Sequence, residues 1–177
     1  CLAGSRYAFF LGGGNGPAAS SGSVNLSKGL VGWWKLDNNT KDSTVYGEDG
    51  TPTSVTPVAD REGRFNSAYS FNGSSSVITA SGTFGGLTLN GKQSVSAWFN
   101  SADPATRDII SLSDTGGTDA TRLQFGNSGY ADVVNASGAS MASNTTCPAV
   151  SGSSWHLATY TYNNSPSTWT LYVDGVN

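Results

Sequence analysis

The sequence predicts an all-β protein, an antiparallel β-sandwich, from three observations. Of its 177 residues, 27 are Ser, 23 Gly, 18 Thr and 14 Asn, whereas strong helix formers are scarce, with four Lys, two Glu and one Met. Short runs rich in Val, Ile, Tyr, Phe, Trp and Thr recur between turn clusters, the spacing of a sandwich. No segment of helix length carries the 3.6-residue apolar period. With 37% hydrophobic and 11% aromatic residues the chain is too apolar for intrinsic disorder, and it is long enough for one self-supporting core.

The elements follow in order. Residues 1–11 form an N-terminal strand-like segment, carried by Arg6-Tyr-Ala-Phe-Phe-Leu11. Alone it cannot fold, so it is expected to bury Tyr7, Phe9 or Phe10 against a sheet, of this chain or of another. Residues 12–28 read as a Gly/Ser-rich linker, and residues 29–177 as the body. A strand is expected over 30–36, then a polar loop from 37 to about 56. The runs 68–72 and 76–79 read as a hairpin across Gly73-Ser74-Ser75. In the strand 94–100, Val95, Ala97 and Phe99 share one face; strands over 108–112, 122–125 and 130–134 follow. The last two, 155–162 and 167–173, flank a loop at 163–166, and Trp169, Leu171 and Val173 of the second point one way. The expected core is Trp34, Phe71, Val95, Ala97, Phe99, Leu123, Leu157, Leu171 and Val173.

Charge and composition exclude several functions. A net charge of −3 and a pI near 4.8 provide no basic field for nucleic acid or anionic lipid. No run of about 18 apolar residues exists, so no transmembrane helix is expected. Of the two cysteines, Cys1 and Cys147, three readings stand: a disulfide, two unrelated thiols, or a lipidated Cys1. Glycosidase chemistry needs paired carboxyls, yet the only glutamates, Glu48 and Glu62, both fall in loops. The lone histidine, His156, reads as a packed or edge residue, and no Gly-x-Ser-x-Gly elbow accompanies it. The chain is therefore not expected to be an enzyme.

Two kinds of site have candidates. Asp37, Asp42 and Asp49 lie in one polar loop with Gly47 and Gly50, an oxygen-donor set of the kind calcium takes; equally, the three aspartates cap turns. Asp114 and Asp119 form a weaker acidic pair. A carbohydrate would stack on an aromatic outside the alternating core, and Tyr46, Tyr130 and Tyr162 are the candidates.

Ordered blocks then carry a resemblance. Gly29-Leu-Val-Gly-Trp-Trp-Lys-Leu-Asp37 and Asp42-Ser-Thr-Val-Tyr-Gly-Glu-Asp-Gly-Thr51 come first. Asp60-Arg-Glu-Gly-Arg-Phe-Asn-Ser-Ala-Tyr-Ser-Phe-Asn-Gly73 and Ser94-Val-Ser-Ala-Trp-Phe99 follow, then Trp155-His-Leu-Ala158 and Leu171-Tyr-Val-Asp-Gly175. Over residues 29–177 these resemble laminin-G-like domains of the concanavalin A-like lectin/glucanase superfamily. The resemblance implies a jelly roll, and a structural calcium near the first loop. The family pattern continues some tens of residues beyond Val-Asp-Gly, so it also implies incomplete closing strands, whose place residues 6–11 or another chain would take. The expected function is an extracellular or cell-surface recognition and adhesion module for a glycan or cell-surface protein. The alternative is a pilin-like filament subunit that self-associates by strand exchange; a glycoside hydrolase is disfavoured.

Overall fold

The residues that alternate in the sequence build the facing sheets of a sandwich. A computed structural model describes the backbone of residues 8–12 and residues 27–87, 91–101, 105–113, 121–125, 131–135, 137–143 and 154–177. Among them are thirteen strands: β1 (Ala8–Gly12), β2 (Leu30–Trp34), β3 (Gly50–Thr53), β4 (Thr56–Val58), β5 (Ala68–Ser70), β6 (Val77–Ala80), β7 (Gln93–Asn100), β8 (Arg107–Leu112), β9 (Thr121–Phe125), β10 (Ala131–Val134), β11 (Ser140–Ser143), β12 (Trp155–Asn164) and β13 (Ser167–Val173). One 3-10 turn covers Phe84–Gly86, and no described helix is long and apolar enough to cross a membrane. One sheet runs β13-β12-β7-β1-β2 and the other β11-β10-β9-β8, with two ribbons, β3-β6 and β4-β5, beside them. Every pairing is antiparallel.

Between the two sheets lies one continuous core. Val95, Ala97 and Phe99 of β7, Ala158 and Tyr160 of β12, and Leu171 and Val173 of β13 meet Ile109, Ile110, Leu123, Phe125, Ala131 and Val133 from the other sheet. Phe99 and Phe125 touch across it, their ring centroids 6.0 Å apart. Seven of the expected core residues are buried; Phe71 is half-buried at the margin, and Leu157 is a correction. A strand exposes alternate residues to opposite faces, and on β12 the buried set is Ala158 and Tyr160. Burying Leu157 would have taken Thr159 and Thr161 inside with it. They face outward instead, where Thr159 Oγ1 lies 2.8 Å from Ser96 Oγ.

Two further expectations are corrected. Segments 68–72 and 76–79 do not pair with each other: β5 pairs with β4, Ala68 opposite Val58, and β6 with β3, Val77 opposite Thr53. The physical reason is Asn72. Its Oδ1 accepts the amides of Ser74, Ser75 and Ser76 at 2.9–3.0 Å, so those donors serve a side chain rather than a facing strand. The stretch read as a polar loop thus contains β3 and the first residue of β4, while β11 had no strand signal of its own in the sequence.

The N-terminal strand lies inside the larger sheet. β1 runs between β2 and β7, with Phe9 opposite both Trp34 and Ala97, and Leu11 opposite Gly32 and Val95. Tyr7 and the side chains of Phe9 and Phe10 lie outside the described residues. Gly32 has a packing reason: a Cβ there would run into the Trp34 indole.

The core also contains an unpaired polar atom. Tyr160 is fully buried, its hydroxyl has no hydrogen-bond partner among the described residues, and burial pushes the phenol's pKa up. A buried unsatisfied hydroxyl costs roughly 1–3 kcal/mol. Tyr160→Phe is therefore expected to leave stability unchanged or raise it by about that amount in a urea melt. A loss above about 1 kcal/mol would show that the hydroxyl is bonded.

Candidate functional site

Three places collect polar or aromatic side chains, and the first is the loop after β2. Asp42 organises it. Its Oδ1 accepts the amides of Trp33 and Thr44, both at 2.9 Å, and its Oδ2 accepts the Thr44 hydroxyl at 2.6 Å and the Glu48 amide at 3.2 Å. Burial pushes the Asp42 pKa up, but the Thr44 hydroxyl and the Thr44, Trp33 and Glu48 amides outweigh it and hold the carboxyl below its usual range. Asp49 Oδ1 accepts the Asp42 amide at 3.0 Å, while Asp37 is exposed and contributes its backbone carbonyl to Asn39 Nδ2 at 2.7 Å.

The Asp42 carboxylate is fully engaged within the loop. Each of its oxygens faces two positive donor ends. Among the described residues, no three His, Cys, Asp or Glu side chains gather as metal ligands. The geometry assigns Asp42 and Asp49 to closing the loop. Nearby, Glu48 Oε1 accepts the Thr83 and Phe84 amides at 2.9 and 3.2 Å, tying the loop to the 3-10 turn. Glu62 is exposed and ion-paired with Arg61 at 2.7 Å.

The second place is one end of the five-stranded sheet, and it collects aromatics. Tyr162 stands opposite Trp169 in the β12–β13 ladder, and their rings stack with centroids 4.2 Å apart and planes 24° apart. Trp169 in turn packs against Tyr160 at 5.6 Å. Register places Leu30, Gly12, Ser94, Thr161 and Thr170 in one row across the sheet, so Val31 and Tyr162 belong to the same end. Tyr46 joins them there. A Cβ on Gly85 would lie 2.7 Å from Tyr46 Cζ and 2.9 Å from Val31 Cγ1, so the phenol tip and Val31 flank one glycine, which also has φ +62°. Tyr46 is 46% exposed and Tyr162 half-buried. β2 and β12 are three strand spacings apart, roughly 14 Å. Two predicted platform residues therefore share one end of the molecule; the third, Tyr130, lies outside the described residues, as do Cys1, Cys147, Asp114 and Asp119.

The opposite end of the same sheet holds the histidine. His156 Nδ1 lies 2.8 Å from Asp174 Oδ2, and His156 Nε2 lies 2.8 Å from Ser154 Oγ. Asp174 follows β13 in a left-handed conformation, φ 51°. Its amide donates to Leu157 O, and its Oδ1 accepts the Leu157 amide, each at 2.9 Å. The His156 ring rests against Phe99 at 5.9 Å, its side chain 16% exposed, while Ser154 is exposed. Reading the sequence missed Ser154 and Asp174. The signals were Ser-x-His at spacing two, which puts both side chains on one face of an extended chain, and an Asp just after the facing strand. Neither acquires meaning until the β12–β13 register sets Ala158 opposite Val173.

No family model, curated protein or solved structure matches the chain.

Proposed function

We propose that the chain is an extracellular or cell-surface recognition module, a laminin-G-like jelly roll that engages a glycan. The aromatic end of the five-stranded sheet is its binding surface. One observation carries the reading: Tyr46 and Tyr162, singled out as ring platforms from sequence, fall at one end of one sheet. A pyranose presents an apolar face that stacks on an aromatic ring, while its hydroxyls need short polar partners. Gln93, opposite Tyr162 in the β7–β12 ladder, shares its face and supplies an amide there, while Thr161, Thr170 and Ser94 supply hydroxyls on the other face of the same end. The ordered sequence blocks and the low charge support the same reading.

A glycan array probed with the intact chain is the test. Tyr46→Ala is expected to weaken binding of the best ligand about tenfold, the equivalent of about 1.4 kcal/mol, without moving Tm. Unchanged affinity would remove Tyr46 from the surface, and an array without hits would remove the glycan.

A second reading is favoured by β1. This strand fills a position between β2 and β7, and residues 13–29 separate it from β2 in sequence. A second copy of the chain offers the same strand, so exchange would build the filament subunit of the alternative reading. Light scattering that finds only monomer at all concentrations contradicts it.

A further inference from the structure

We propose that Ser154, His156 and Asp174 form a nucleophilic relay that hydrolyses esters of short carboxylic acids, an activity beyond recognition. A carboxylate 2.8 Å from Nδ1 fixes the proton on that nitrogen, which leaves the Nε2 lone pair facing Ser154 Oγ at 2.8 Å. The serine hydroxyl therefore donates to the imidazole, the arrangement needed for general-base activation. Asp174 is held in place by its paired contacts with Leu157, and His156 by the Phe99 ring, so base and orienting group are preorganised. A purely structural histidine would need only the Asp174 contact. Ser154 is exposed and has water available, yet its oxygen sits at hydrogen-bond distance from the base.

The chemistry balances within these groups, the ester and water. Ser154 Oγ attacks the ester carbonyl carbon, forming a C–O bond, as its proton passes to His156 Nε2. The Asp174 carboxylate stabilises the imidazolium. Collapse of the tetrahedral intermediate breaks the bond to the alcohol, which leaves with the proton from Nε2. Water then attacks the acyl-serine by the same route, releasing the carboxylic acid and regenerating Ser154.

The intact 177-residue chain is incubated with a fluorophosphonate probe and, separately, with p-nitrophenyl acetate. One phosphonyl adduct on Ser154, located by peptide mass spectrometry, and ester turnover above the buffer rate are expected. Ser154→Ala should abolish both with Tm unchanged, since the side chain is exposed. His156→Gln and Asp174→Asn should each slow labelling of Ser154 by at least about a hundredfold. The His156→Gln arm is read only after its circular dichroism matches the parent, and Asp174→Asn serves as the second variant. No adduct at Ser154, or equal labelling in folded His156→Gln or Asp174→Asn protein, overturns the proposal.

Discussion

Removing residues 1–12 is expected to abolish the cooperative thermal transition. β1 forms ladders with β2 on one side and β7 on the other. Without it those two strands stand two spacings apart, about 9.6 Å, too far to pair directly. The facing amides and carbonyls of both would lose their partners in the middle of a sheet, at roughly 1–3 kcal/mol for each buried group left unpaired. Trp34, Val95 and Ala97, all buried beside β1 in register, would also lose their neighbouring strand. A handful of such losses exceeds the roughly 5–15 kcal/mol by which a domain is stable. A synthetic peptide of residues 1–12 added in trans should restore the transition, because the pairing is main-chain recognition at an open gap. If the trimmed chain melts as the full one does, β1 is no part of the folding unit.

Trp34→Ala is expected to cost about 3–5 kcal/mol in a urea melt. The indole is 1% exposed, meets the Phe84 ring edge-on at 6.1 Å, and donates from Nε1 to the Glu48 carbonyl at 2.9 Å. Truncation leaves both a cavity and a carbonyl without its donor. Trp34→Phe refills part of the volume without the donor, so it should fall between the alanine variant and the parent. A loss below about 1 kcal/mol for Trp34→Ala would mean the indole is not a core residue.

How far the sequence revealed this protein depends on the range of the determinants. Alternation within one strand is local, so Val95, Ala97 and Phe99, or Leu171 and Val173, could be assigned to the core directly. Pairing is not local. Whether 68–70 turns back on 77–80 or on 56–58 is settled by Asn72 collecting three serine amides, a contact that hydropathy does not encode. Leu157 was misplaced because two phases of the same strand both look plausible until the fates of Thr159 and Tyr160 are weighed together. Tyr46 lies outside the alternation as read, but Tyr162 is in phase with Ala158 and Tyr160 at the margin of the core face, and the common end of the two rests on register across four strands. Asp42 shows the opposite limit: three aspartates in a glycine-containing loop suit a cation or a set of turns equally in sequence. The four loop donors that its two oxygens accept come from residues 33, 44 and 48, a convergence that the spacing of the aspartates does not encode.

The reading of the aromatic end as a glycan surface is tested most directly by mapping the bound ligand onto the chain. Backbone amide spectra of the isotope-labelled protein would be recorded while an oligosaccharide selected on the array is titrated. The expected shifts concentrate on Val31, Tyr46, Gly85, Thr161, Tyr162, Trp169 and Thr170, with His156 and Asp174 at the opposite end of the sheet unmoved. Shifts confined to that opposite end, or a saturating glycan that moves none of the aromatic-end amides, would contradict it.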